Sequence, residues 1–238
     1  MEFFVNVFNT ILYQPLLKVL LFLANSLPNR DIGIAIIVLT VIIKLILFPF
    51  SLKAIKAQIV VQKLQPRIKE IQQKYKEDRL KQSEALLELY RKEKLNPFAF
   101  FFPLLLQLPI LIALYLVFLK GLKDYPNLLF LGYIDLSQSN LIIALLAGIS
   151  QFFYSKISFS SRSGSRKERK TQEKIKDLSY MIQTQMIYFF PFLTIIIVWQ
   201  LGAAIGLYWT TSNFFSFIEH WLIMKLDIKK GVNSELKK

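Results

Sequence analysis

The chain has 238 residues, of which 54% are hydrophobic and 14% aromatic, and its 30 Lys and Arg against 16 Asp and Glu give a formal net charge of +14. Because it contains no cysteine and a single histidine, disulfides, zinc–thiolate sites and thiol nucleophiles are excluded, and a metal site built from histidines is not expected. Long apolar blocks separated by charged stretches indicate an all-α polytopic membrane protein.

Residues 1–30 form the first predicted element. They have neither the basic start nor the small-residue cleavage site of a signal peptide, so we expect them in the mature chain. A polar residue recurs at every fourth position: Asn6, Thr10, Gln14 and Lys18. On a helix this spacing gives one polar stripe, which predicts an interfacial amphipathic helix on the outer membrane surface, bent near Pro15. A sixth spanning helix is the alternative.

Residues 31–51 form the first predicted spanning segment, and Lys44 lies inside it. A lysine at the membrane centre costs about 2.5 to 3.5 kcal/mol, so it needs an explanation. Its side chain could snorkel to the inner end of the segment, about 10 Å away, or could face a hydrated polar recess. Thr40 lies one turn away on the same face, and Pro49 leaves the Leu45 carbonyl without its helical donor, which allows water to enter.

Residues 52–96 differ in character, because charged residues alternate with apolar stripes. The spacing predicts a cytoplasmic hairpin of two antiparallel helices with its tip at residues 76–79, and Pro66 suits the start or a kink of the first arm. Each arm has an apolar side, which the other arm, a bound client or the lipid surface could cover. The stripes consist of Leu64, Ile68, Ile71 and Tyr75 in the first arm and Leu86, Leu87, Leu89 and Tyr90 in the second.

The remaining apolar blocks predict four more spanning segments, which gives five in total. These are residues 97–119, 140–155, 186–200 and 203–224, followed by a tail at 225–238 and separated by loops at 120–139 and 156–185. The third and fourth spans are shorter than the roughly 20 residues that a bilayer requires, so either the helices extend further or the membrane is thinned there. The last two spans leave room only for a tight turn.

The distribution of basic residues explains the net charge. Lys and Arg number 2 in residues 1–30, 12 in 52–96, 1 in 121–138, 8 in 156–185 and 5 in 225–238. Alternating basic and non-basic loops orient a membrane protein, so we expect the N-terminus outside and the C-terminus in the cytoplasm. The charge therefore does not by itself indicate nucleic-acid binding, although the basic loop and tail could contact ribosomal RNA or anionic lipid.

Several polar residues lie inside the predicted spans. They are Gln107, Gln151, Thr210, Thr211, Ser212 and Asn213. Each alone is typical of an interhelical hydrogen bond, which contributes about 0.6 kcal/mol on average in membranes. Together with Lys44 they would instead line a hydrated groove.

Five stretches of this sequence resemble the YidC/Oxa/Alb family of membrane protein insertases. They are IIKLILFP (42–49), LQPRIK (64–69), YRKEKLNP (90–97), FPLLLQLPILIALY (102–115) and GLYWTTSN (206–213), in the order and spacing of that family. The resemblance implies a five-helix core around a positively charged groove, open to the cytoplasm and the lipid, with a helical hairpin at its mouth. The extreme N-terminus resembles that of a minimal bacterial form.

The resemblance also implies which residues act. Lys44 lies where the family usually has an arginine, so a point donor replaces a guanidinium fork. The positions that match groove-lining or client-contacting residues are Thr40, Gln107, Gln151, Tyr208 and Trp209. The implied activity is insertion of nascent client proteins into the bacterial plasma membrane, without catalytic residues, cofactor or metal. Lipids are implied partners, the ribosome and the Sec translocon are candidates, and no specific nucleic-acid sequence is implied.

Two other functions are consistent with parts of the sequence. A small channel or secondary transporter could use Lys44 as an ion site, although no inverted repeat is visible. An intramembrane protease could use Ser150 and His220, but the residues around Ser150 lack the context of known serine nucleophiles.

Overall fold

The computed structural model describes residues 2–93, 102–123, 125–159 and 178–235. Helices dominate it, and a pair of two-residue strands is a small departure from the predicted all-α fold. In chain order the elements are α1 (Glu2–Phe8), a π-helix (Asn9–Tyr13), α2 (Gln14–Ser26), a 3₁₀ turn (Pro28–Arg30), α3 (Ile32–Lys74), α4 (Arg79–Lys92), α5 (Phe102–Leu116), a second π-helix (Val117–Gly121), β1 (Leu129–Phe130), β2 (Ile134–Asp135), α6 (Leu141–Phe159), α7 (Leu178–Leu201) and α8 (Ala203–Glu235).

Among the described residues, three helical stretches are long and apolar enough to cross a membrane. They are Val5–Ser26, Ile32–Lys74 and Leu141–Ser158, and the stretches Gln107–Gly121 and Ile187–Leu201 are apolar but shorter. The first of these is the segment for which the sequence left both an interfacial and a spanning helix open. Pro15 has no amide hydrogen to donate, and a π-helical turn immediately precedes α2, so the helix continues through this position.

Helix α3 joins two segments that the sequence divides into a span and a hairpin arm. It runs unbroken for 43 residues and passes through Pro49 and Pro66. A proline removes one hydrogen bond but keeps a helical φ, so long flanking stretches can carry the helix past it. The predicted first span and the predicted first arm are therefore parts of one continuous helix.

Helix α4 returns alongside the end of α3 after a turn at residues 75–78, next to the predicted tip. The Asp78 carboxylate caps α4 by accepting a hydrogen bond from the Lys81 amide at 3.0 Å. Bonds from Lys81 hold the pKa of Asp78 below its ordinary value of 3.8. Gln82 donates to the Gln72 carbonyl at 3.0 Å, which ties the two helices together. Residues 94–101, at the end of the predicted hairpin, lie outside the described residues.

Three helices extend beyond their predicted bounds. Helix α6 has 19 residues, α7 has 24, and α8 continues through most of the predicted tail to Glu235. The apolar blocks marked only the hydrophobic part of each helix, and polar residues with good helical propensity prolong it. Most of the predicted basic loop, residues 160–177, lies outside the described residues.

Glycines allow α6, α7 and α8 to approach closely. A Cβ added to Gly148 of α6 would overlap the Ile195 side chain, and one added to Gly206 of α8 would lie 2.5 Å from Ile143 and 2.6 Å from Val198. Small residues at helix interfaces are the usual means of close packing in membranes. Gly202 alone separates α7 from α8 and has a φ of +98°, which glycine adopts without strain.

The loop between α5 and α6 closes one end of the bundle. Strands β1 and β2 pair antiparallel, and the turn between them places the Leu131 amide 2.7 Å from the second carboxylate oxygen of Asp31. The first oxygen of Asp31 caps α3 by accepting from the Ile34 amide at 3.0 Å. Further along the loop, the Gln138 and Leu136 carbonyls accept from the first two amides of α8 at 2.9 and 3.2 Å. The loop thereby joins the starts of α3 and α8, and we refer to residues 125–140 as the clamp loop.

The main apolar core lies just below the clamp loop. It combines buried side chains of α2, α3, α5, α6 and α8: Leu20, Ala24, Ile32, Ile36, Leu39, Ile110, Leu114, Ile143, Ala204 and Leu207. A smaller cluster of Ile55, Ile59 and Ile223 holds α3 against α8 at the other end. Between these two clusters lie the polar side chains described next.

Candidate functional site

One side of helix α8 carries a group of polar side chains. Tyr208, Trp209, Asn213, Ser216 and Glu219 lie within an arc of about 140° at the helical rotation of about 100° per residue. Helices α3, α5 and α6 pack around this arc. Each of them contributes a polar partner to it.

Lys44 is the partner from α3. Its Nζ donates to Ser216 Oγ at 2.9 Å, and the side chain is half-buried. The two residues are the thirteenth and fourteenth of their helices, so they lie at a similar depth, about 20 Å from the helix starts. The amine therefore points into the bundle at its own level, whereas snorkelling would direct it along α3 towards the end of the span.

A second contact between α3 and α8 lies below the first. Ser51 donates its hydroxyl to Glu219 Oε1 at 2.9 Å, and Glu219 is buried, with 5% of its surface exposed. The charges of Glu219 and Lys44 interact electrostatically across the same interface. The sequence analysis assigned no role to Ser216 or Glu219. A helical spacing of polar residues through Ser212, Ser216 and Glu219 is the signal that could have found them.

The glutamines predicted to line the groove contact the two aromatic residues predicted with them. Gln107 of α5 donates its side-chain amide to the Tyr208 hydroxyl. On α6, Gln151 Oε1 accepts from Trp209 Nε1 at 3.0 Å. Because Tyr208 and Trp209 are neighbours in sequence, they point about 100° apart and bind different helices.

Not all predicted site residues face an open space. Thr40 is 1% exposed, and its hydroxyl donates to the Ile36 carbonyl of its own helix at 2.6 Å. Tyr208 and Gln151 are also buried. The structure thus brings Gln107 to Tyr208 and Gln151 to Trp209, and it holds Lys44 on Ser216. Thr40 packs separately.

The residues of the protease alternative do not meet. Ser150 donates its hydroxyl to the Ala147 carbonyl at 2.8 Å. His220 is fully buried, and neither of its ring nitrogens has a hydrogen-bond partner in the described part of the chain. A serine nucleophile requires a base within hydrogen-bonding reach, which Ser150 does not find in His220.

The known proteins to which this chain is similar align with most of its length. The family of the 60Kd inner membrane protein matches residues 22–230. A protein of Clostridium tetani named membrane protein insertase YidC is 36% identical over 208 residues, which cover 87% of this chain and 88% of the relative. A protein of the same name from Psychromonas ingrahamii is 34% identical over 226 residues, covering 94% of this chain and 37% of the relative. The chain therefore spans nearly all of the first relative and less than half of the second.

The fold gives the same result. A crystal structure described as an active YidC insertase with its first transmembrane domain resolved superimposes with a TM-score of 0.63 and 27% sequence identity, over 89% of this chain and 45% of that one. The family resemblance seen in the sequence is thereby confirmed. This chain belongs to the 60Kd inner membrane protein family, which includes the YidC membrane protein insertases, and is a multi-pass membrane protein.

Proposed function

We propose that this protein inserts client membrane proteins into the bacterial plasma membrane and catalyses no bond chemistry. Family membership supports the activity, and one contact carries the mechanism: the Lys44 amine bonded to Ser216 inside the bundle. A charge held there can attract an acidic client tail into the membrane. The apolar helix of the client then leaves sideways into lipid.

The physical task of the site is to shorten the dry path of a polar peptide. Moving unpaired polar groups into hydrocarbon costs several kcal/mol each, about 2 to 7 depending on the reference. A hydrated cationic groove between α3, α5, α6 and α8 would remove part of this cost. Attraction to Lys44 would offset desolvation of the client carboxylates.

The buried state of the site implies how the groove opens. Gln107 bonds Tyr208 and Gln151 bonds Trp209, so each glutamine links a helix to α8. Admitting water and a client requires that these two links break. Interhelical bonds of this kind contribute only about 0.6 kcal/mol each, so exchange with a client peptide is energetically accessible.

The orientation follows from charge and exposure. Basic segments at 52–96, 156–185 and 225–238 support an orientation with the hairpin, the basic loop and the C-terminus in the cytoplasm and the clamp loop outside. The polar stripe of the N-terminal helix is exposed on the outside of the bundle, at Asn6, Thr10, Gln14 and Lys18. Such a stripe suits an interfacial helix better than one surrounded by lipid, which supports five spans and an outer N-terminus. The ribosome, the Sec translocon and anionic lipids are candidate partners of the basic segments.

The test uses purified protein in liposomes and a single-span client with an acidic tail. Lys44→Ala should reduce tail translocation at least about tenfold, the equivalent of about 1.4 kcal/mol, whereas Lys44→Arg retains it because the charge is kept. Protease protection of the tail is the measurement. Lys53→Ala, which removes an exposed lysine from the same helix, is the matched control and should behave like the wild type.

Two outcomes would contradict this function. Wild-type translocation by Lys44→Ala would remove the groove charge from the mechanism. Steady ion flux through the protein without a client, abolished by Lys44→Ala, would instead favour a channel or transporter that uses this lysine as its ion site.

A further inference from the structure

The contacts between α3 and α8 include a buried acid for which family membership supplies no role here. Glu219 is 5% exposed and accepts a hydrogen bond from Ser51 at 2.9 Å. A carboxylate this deep is costly unless it is paired and hydrogen-bonded. A nearby opposite charge stabilises such a carboxylate in its ionised form.

The opposite charge here is Lys44. Ser216, which holds the Lys44 amine, lies one helical turn before Glu219 on α8. The lysine and glutamate charges attract each other across the interface. Two serines, one on each helix, thus hold an ammonium and a carboxylate in register along the same pair of helices.

This arrangement determines what an arriving client meets. A client carboxylate that approaches Lys44 must compete with Glu219 for the ammonium. A neutral or basic tail does not bind the ammonium, so it meets no such competition. The strength with which Lys44 attracts an acidic tail therefore depends on how far Glu219 already occupies it.

We propose that Glu219 is the resident counter-ion of Lys44, competes with client carboxylates for it, and thereby determines which client tails the protein accepts according to their charge. The inference rests on the proposed insertase function. It assigns a specificity-determining role to a residue that does not itself need to contact the client.

The experiment compares three single-span clients that share one apolar segment and carry aspartate, asparagine or lysine at the same tail positions. The protein is reconstituted in liposomes, and protease protection gives the translocated fraction of each tail. Glu219→Gln keeps an oxygen acceptor for Ser51 but removes the charge. We expect it to raise the ratio of acidic to basic tail translocation about three- to tenfold, as a change of roughly one unit charge near a partly buried site would. The neutral tail should change least.

Two variants serve as controls. Glu88→Gln changes the net charge of the protein equally, but the glutamate is on α4, is largely exposed and pairs with Lys92, so the ratio should stay at the wild-type value. Glu219→Gln in a Lys44→Ala background tests the route of the effect. If Glu219 acts by occupying Lys44, its substitution should then change the ratio less than in the wild type.

The outcomes distinguish a failure of this inference from a failure of the proposed insertase function on which it rests. If Lys44→Ala translocates the acidic tail like the wild type, the groove charge and this inference fail together. If Lys44→Ala is impaired but Glu219→Gln leaves the ratio unchanged, only the counter-ion role is overturned. A full Glu219→Gln effect without Lys44 would mean that the carboxylate acts on clients directly, which also overturns it. An equal loss with all three tails would show a structural role instead.

Discussion

Tyr208 and Gln107 show what a single polar pair does inside this bundle. The tyrosine is 2% exposed, and its hydroxyl is the acceptor for the glutamine amide of the neighbouring helix. In hydrocarbon the Gln107 amide has no water as an alternative partner, so removing the Tyr208 hydroxyl leaves it without this acceptor. The pair therefore contributes to the stability of the bundle, and under the proposed mechanism it separates when a client enters.

Tyr208→Phe should lower the free energy of unfolding by about 0.6 to 1.7 kcal/mol, because the Gln107 amide loses its acceptor. Gln107→Leu removes the amide itself, so Tyr208→Phe should cost less in that background. Unfolding of the protein in lipid bicelles measures each variant. Strictly additive losses in this double-mutant cycle would show that the two side chains do not interact in the membrane.

At the scale of elements, the close approach of α6, α7 and α8 depends on glycines, which have no side chain. Gly206 faces Ile143 and Val198 at distances that no Cβ could occupy without displacing a neighbour. The same approach positions Gln151 of α6 beside Trp209 of α8. The packing of α6 against α8 and the position of Gln151 beside Trp209 therefore depend on the same close approach of the two helices.

Gly206→Val should overpack the contact of α8 with α6 and α7 and lower the free energy of unfolding by about 1 to 3 kcal/mol. A lower thermal midpoint of the purified protein in detergent would reveal the loss. As the control, Val19→Phe adds apolar volume at an exposed position of α2 and should leave that midpoint nearly unchanged. Equal midpoints for Gly206→Val and the wild type would mean that the helices separate there without cost.

Sequence patterns located these elements better than their ends. Apolar blocks marked the cores of α3, α5, α6, α7 and α8, because a bilayer-spanning helix needs a long apolar run. They did not show that α3 continues past Pro49, or that α8 continues through most of the basic tail, because helix continuation depends on backbone hydrogen bonds that charged residues make equally well. The Lys44–Ser216 contact was equally hidden, since it joins residues 172 positions apart.

For the whole molecule, Asp31 has a larger role than a helix cap. One carboxylate oxygen caps α3 and the other binds the clamp loop, which in turn supplies acceptors to the start of α8. The two helices that carry Lys44 and Glu219 are therefore fixed to each other at one end. Nothing in the sequence near Asp31 indicated this link, because the loop partner is a backbone amide 100 positions away.

Asp31→Ala should remove both bonds, so the Ile34 and Leu131 amides should exchange hydrogen faster. The cap alone contributes about 0.5 to 2 kcal/mol. Asp31→Asn keeps one acceptor oxygen and should protect only one of the two amides. Hydrogen–deuterium exchange with peptide-level mass spectrometry measures both.

The matched control is Asp78→Ala, which removes the cap of α4 at the turn between α3 and α4. It should speed exchange in α4 and leave the clamp loop protected. Unchanged exchange at Leu131 in Asp31→Ala would contradict the link between the loop and α3.

Because α3 is unbroken, the lysine within the bundle and the turn after Lys74 belong to one rod, with about 45 Å between them at 1.5 Å per residue. A lateral force at the far end of α3 must either move the segment that carries Lys44 or bend the helix. Bending is easiest at Pro49, which leaves the Leu45 carbonyl without a hydrogen-bond donor. A force applied at the turn between α3 and α4 is therefore transmitted along α3 to Lys44.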